Sequence, residues 1–192
     1  WAALLRQVGS AREAAEFIAT RLTDTRPELL VPLAALWLAA NEPQRAVAVL
    51  EAAARAPSLP VLQELLRAYT LLGDTSRAEQ VAQRLAAQGN GSPAAWRVLA
   101  AAALRRGDAP TAARLAFSVL AVSPHGDAAA RLLLAEANAA RGYWRGVVLT
   151  LRGGMCPDAD RARAALLLAR AELAQKHYPE AVSALAKARA AG

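Results

Sequence analysis

Apolar residues recur along this chain at helical spacing, and short polar breaks interrupt them at a regular interval. The stretch from 92 to 124 shows the grammar most fully. Ser92 and Pro93 stand where a helix should begin, because a serine side chain satisfies a free backbone amide and the fixed φ of proline suits a first turn. Trp96, Leu99, Ala100 and Ala103 then fall on one helical face. Arg106, Gly107 and Asp108 break the pattern. Ala112, Leu115, Ala116, Val119 and Leu120 resume it as a second helix, and Ser123 and Pro124 close the unit. The same reading predicts helices over 27–40 and 44–56, then over 60–72 and 76–88, with Trp37 and Tyr69 on the first helix of their pairs.

The breaks are periodic. They fall at Gly9, Asn41, Gly73, Gly107, Gly142 and Lys176, at spacings of 32, 32, 34, 35 and 34 residues. Five residues after each break a compact apolar residue returns, at Ala14, Ala46, Ala78, Ala112, Val147 and Ala181. A period near 34 residues with two helices per unit describes stacked helix pairs, none of which can bury its apolar face alone. The expected organisation is a partial repeat over 1–26 followed by repeats over 27–58, 59–92, 93–126, 127–160 and 161–192. Residues 1–8 read as the tail of a first helix and the chain stops within a second one, so a segment of a longer protein is expected.

The fifth repeat departs from the pattern. Val147 stands in place of the small alanine, Gly146 precedes it, and Arg131 occupies the place of Trp96. Arg152, Gly153 and Gly154 are expected to end its second helix early, glycine being a poor helix residue. A degenerate repeat carrying a loop is the preferred reading, with a hinge as the alternative.

Trp96, Leu99, Ala103, Gly107, Ala112 and Pro124 resemble, in order and spacing, the marked positions of the tetratricopeptide repeat family, and the resemblance covers nearly the whole chain. It implies an all-α fold, a right-handed α-solenoid of antiparallel helix pairs whose first helices line a concave groove. Groove positions would then be those off the packing stripe of each first helix: Gln63, Glu64 and Arg67; Arg97, Leu104 and Arg105; Leu132, Leu133 and Glu136; Arg163, Leu166 and Arg170. Leu38 and Leu173 belong to the same set. Such a groove is mostly apolar, and its arginines would favour an acidic or carboxylate-bearing ligand through paired hydrogen bonds. Glu136 and Arg170, equivalent residues of adjacent repeats, are a candidate ion pair. Family members that bind chaperone tails hold a terminal carboxylate with Lys and Asn on these helices, and neither occurs at the groove positions named here.

Composition narrows the chemistry. The chain is 55% hydrophobic but only 5% aromatic, so its apolar material is mainly Ala, Leu and Val, which suits thin, closely spaced helices. The net charge of +7 arises wholly after residue 96, where fourteen basic side chains face seven acidic ones. Cys156 is the single cysteine, which excludes an internal disulfide. His125 and His177 lack neighbours at metal-ligand spacing. Asp158 and Asp160 read as caps of a helix starting near Arg161. Gly153, Gly154 and Met155 lack the residues of a phosphate loop. The sequon at Asn90 is followed by Pro93, and no apolar run is long enough to cross a membrane.

The expectation is therefore a protein without catalytic, metal or cofactor residues. It would serve as a protein-interaction scaffold for a peptide or helix with apolar and acidic features. Self-assembly is one alternative. Nucleic-acid binding through the basic second half is another, disfavoured because Trp96, Tyr143, Trp144 and Tyr178 fall at packing positions, leaving no aromatic free to stack. High alanine and arginine content is similar to that of arrays in bacterial envelope assemblies, which implies a periplasmic or envelope setting.

Overall fold

The computed structural model describes residues 10–22, 26–53, 58–89, 91–123, 126–152 and 160–191. Expectations for Gly9, Asn90, Pro124, His125, Cys156 and Asp158 fall outside them. The described residues hold eleven helices and no strand: α1 Ala11–Ala19, α2 Pro27–Ala39, α3 Pro43–Ala53, α4 Leu59–Leu72, α5 Thr75–Ala87, α6 Pro93–Arg105, α7 Ala109–Val122, α8 Ala128–Ala140, α9 Trp144–Arg152, α10 Arg161–Ala174 and α11 Tyr178–Ala191.

One turn is built five times. Asn41, Gly73, Gly107, Gly142 and Lys176 adopt left-handed φ of 59°, 71°, 79°, 71° and 63°. The next amide reaches back to the carbonyl five positions earlier: Glu42 to Trp37 at 2.9 Å, Asp74 to Tyr69 at 3.0 Å, Asp108 to Ala103 at 2.9 Å, Tyr143 to Asn138 at 2.8 Å and His177 to Glu172 at 2.9 Å. This closure satisfies a carbonyl that the ending helix leaves free and reverses the chain. The carbonyl of that same residue then accepts the amide of Ala46, Ala78, Ala112, Val147 or Ala181, the first full hydrogen bond of the second helix. The five-residue interval in the sequence is thus the distance from the left-handed residue to the first closed turn. All five of these anchors are buried where the helices cross, and four are alanines that permit close approach.

By its packing the chain divides into two compact units, Trp1–Ala95 and Trp96–Gly192, with the boundary inside α6. In the first, α2 packs on α1 and α3, and α4 packs on α3 and α5. In the second, α8 packs on α7 and α9, and α10 on α9 and α11. First helices of consecutive pairs also touch directly, α2 against α4 and α8 against α10. Val147 fits because small residues surround it, Ala135 of its own pair and Ala164 and Ala171 of α10, together with Leu132, Val148 and Leu151. Gly146 has its own reason: a Cβ there would collide with the Tyr143 ring and stand 3.0 Å from Nδ2 of Asn138.

Candidate functional site

The predicted groove positions lie on first helices α4, α6, α8 and α10. On α4, Gln63 and Arg67 are exposed and Glu64 is half-buried. Nη1 of Arg67 approaches Oε2 of Glu64 at 3.9 Å, and that oxygen makes no hydrogen bond among the described residues.

In the second unit α6, α8 and α10 are joined by charged side chains. Arg97 of α6 donates to Asp127 at 2.9 Å, and the other oxygen of Asp127 caps α8 by accepting the Ala130 amide at 2.9 Å. Glu136 of α8 pairs with Arg163 of α10 at 2.6 Å. Burial pushes the Glu136 carboxyl above its ordinary value, and the Arg163 charge opposes that. The expected partnership of Glu136 with Arg170 is therefore corrected. Neighbouring first helices meet with a stagger that brings a residue one to two turns nearer the start of the next helix into reach, as both pairs show. Arg170 instead lies over the Trp144 ring of α9, 5.6 Å from its centroid.

The apolar positions sort unevenly. Leu132 is buried in the core around Val147, and Leu38 is buried in the first unit, so neither is open to a ligand. Leu104 is half-buried against Ala103, Ala112, Ala113 and Ala137, and Leu133 is half-buried as well. Leu166 and Leu173 stay open, at 54% and 49% exposure. With Arg163 and Arg170 they form a single exposed stripe along α10 at positions i, i+3, i+7 and i+10. Arg105 at the end of α6 is exposed and engaged in an interaction of its own.

Sequence reasoning missed the most buried charge. Glu172, 1% exposed, accepts from Nη2 of Arg152 at 2.7 Å and meets Nδ1 of His177 at 2.9 Å. Its place four residues before the left-handed turn is that of Trp37, Tyr69, Ala103 and Asn138. The repeat alignment held that signal. The aromatic expectation is also corrected in part: Trp96 and Trp144 are half-buried, while Tyr143 and Tyr178 are 50% and 60% exposed. They sit at and just beyond the turn, outside the helix-helix contact.

Among the described residues no group of His, Cys, Asp and Glu could hold a metal ion, and no helix is long and apolar enough to cross a membrane.

Residues 59–102 match the family model for the tetratricopeptide repeat. No curated protein matches the chain. Among solved structures, a chain in the crystal structure of the APC/C hetero-tetramer Cut9-Hcn1 aligns over 98% of this chain with a TM-score of 0.69 and 18% identity. The chain spans only 38% of that one. A tetratricopeptide repeat protein from Parabacteroides merdae aligns over 100% of this chain and 90% of its own, with a TM-score of 0.64 and 17% identity.

Proposed function

We propose that this chain, which has the fold of a tetratricopeptide repeat array, is a non-catalytic scaffold that holds a peptide or helix of another protein on the first-helix face of its second unit. The observation that carries the reading is the stripe of Arg163, Leu166, Arg170 and Leu173 on α10, open apolar surface alternating with guanidinium groups. An occupant with leucine-like side chains and spaced carboxylates fits it, since each guanidinium has donors beyond those its present partner uses. Selection of displayed peptides against the intact chain tests this. The selected peptides should be acidic and apolar and should bind an Arg163→Glu, Leu166→Asp variant at least tenfold more weakly, which is about 1.4 kcal/mol. Peptides without that character, or indifferent to the variant, would sink the reading. An envelope setting in a bacterium rests on the alanine- and arginine-rich composition alone.

Self-association is a second reading, favoured by one observation. Val182 and Leu185 of α11 are exposed, Val182 at 66%, whereas the residues at the same places in α9 and α3, Val148 with Leu151 and Val47 with Leu50, are buried. Light scattering over a range of concentrations should then show a mass that rises in the parent chain and stays monomeric in Val182→Glu, Leu185→Glu. A constant mass in both excludes it.

A further inference from the structure

The residues of the repeated turn change character along the chain. The position that ends the turn and caps the second helix is Glu42, Asp74 and Asp108 in the earlier turns, then Tyr143 and His177. The left-handed position is Asn or Gly until it becomes Lys176. In the first unit the cations beside these turns are neutralised: Arg45 bonds Glu42 at 2.9 Å and Glu16 at 3.4 Å, and Arg77 bonds Glu51 at 3.4 Å and Asp74 at 3.5 Å. In the second unit Arg141, Arg145 and Lys176 are exposed, and the structure gives them no carboxylate partner among the described residues. Arg105 and Arg106 stand at the preceding turn. Of the acids nearby, Asp108 accepts the Thr111 amide and keeps its charge beside Arg106 and Arg114, Glu172 is buried under Arg152 and His177, and Glu180 is exposed on α11.

Two aromatic rings accompany these cations. Tyr143 is half-exposed, and its other side lies against the bare backbone of Gly146, where a Cβ would collide with it. The missing Cβ seats the ring and leaves a face open. Tyr178 opens α11, more exposed still. Because α8 and α10 pack directly, the turns that follow them belong to one edge of the second unit, offset along the helices by the stagger that pairs Glu136 with Arg163.

We propose that this turn edge of the second unit, built from residues 105–108, 141–145 and 176–178, binds a single-stranded nucleic acid. Guanidinium and ammonium groups contact phosphates without regard to sequence, and open tyrosine faces receive unpaired bases. An acidic peptide would use the cations and leave the rings idle. An anionic bilayer would also attract the cations and seat tyrosine at its headgroups, but it offers no base to stack on the ring faces, so vesicle binding is the outcome that separates the two. The exposure of Tyr143 and Tyr178 removes the ground, their expected packing, that disfavours nucleic acid from the sequence.

Fluorescence anisotropy of the whole chain with labelled dT15 and rU15 tests the proposal, alongside inorganic polyphosphate and phosphatidylserine vesicles. Saturable binding to the oligonucleotides should weaken as salt rises. Arg141→Glu, Lys176→Glu should reduce it and lower the slope of log K against log salt by about 0.7 per cation lost. Tyr143→Ala and Tyr178→Ala should each weaken binding about 5- to 100-fold with the slope retained, while Tyr143→Phe binds as the parent does. Gly146→Ala, which displaces the ring, should act like Tyr143→Ala, and Arg77→Glu on the first unit should change nothing. Circular dichroism confirms that each variant keeps its helices. Absence of oligonucleotide binding at low salt overturns the proposal. So does polyphosphate binding of equal strength with tyrosine variants that behave as the parent, or binding to vesicles alone.

Discussion

Lys176 carries a conformational cost that its counterparts avoid. A side chain in the left-handed region brings Cβ against the following carbonyl, a penalty that Gly73, Gly107 and Gly142 escape and that Asn41 feels less. Lys176→Gly should therefore raise stability by about 0.5–1 kcal/mol, part of the relief being offset by the freedom glycine adds to the unfolded chain. Asn41→Gly should gain less, and Gly107→Ala should lose about 1 kcal/mol. Urea unfolding of the three variants checks the order. Glu136 links folding to pH. Its folded carboxyl is raised above the ordinary 4.5, first by burial and then by Asp160, with Arg163 opposing. A raised carboxyl holds its proton more tightly when folded, so its contribution favours folding below 4.5 and is lost as pH climbs through the higher folded value. Relative to the parent chain, Glu136→Gln should gain stability as pH goes from 4 to 7. A difference between the two that does not vary with pH would show that burial is not felt at this carboxyl.

At the scale of the helix, the position four residues before each turn tells how one element is tied to the next. Before the turns at Asn41 and Gly73 it is aromatic, with Tyr69 donating its hydroxyl to Glu51 at 2.8 Å beneath the Arg77 guanidinium. In the last pair it is Glu172, which binds the end of α9 through Arg152 and the start of α11 through His177. A buried carboxylate that loses a partner retains its desolvation cost, so Arg152→Ala should destabilise by about 1–3 kcal/mol, water at the half-exposed arginine site limiting the loss. Glu172→Leu in that background should recover most of it, because an apolar side chain needs no partner. Thermal unfolding of both variants decides the matter, and failure of the second substitution to rescue the first would deny Glu172 this role. Helix ends such as Ser92, whose Oγ accepts the Ala95 amide at 3.2 Å, were legible in the sequence since capping is a local event. The partner of Glu172 was not, because Arg152 lies twenty residues away and meets it only through packing of α9 on α10.

Across the molecule, stability should follow nearest neighbours within each compact unit, without a common centre. Helix α8, flanked by α7, α9 and α10, should protect its amides from hydrogen exchange longer than α11, which among the described residues packs on α10 alone and leaves Val182 and Leu185 open. Equal protection of the two would mean that α11 has a cover, as self-association would provide. The repeat period, the left-handed turns and the small anchors were determined by the sequence alone, since the 6→1 closure and the first helical hydrogen bond involve residues within five or six positions of one another. Groove membership was only half legible. Helical periodicity places Leu132 and Leu166 one repeat apart on equivalent helices, yet one is sealed in the core and the other open. Likewise Glu136 chose Arg163 over Arg170, and Tyr143 settled outward on Gly146. Those outcomes depend on the stagger between neighbouring helices and on the volume each neighbour leaves, quantities that exist only once the helices have packed.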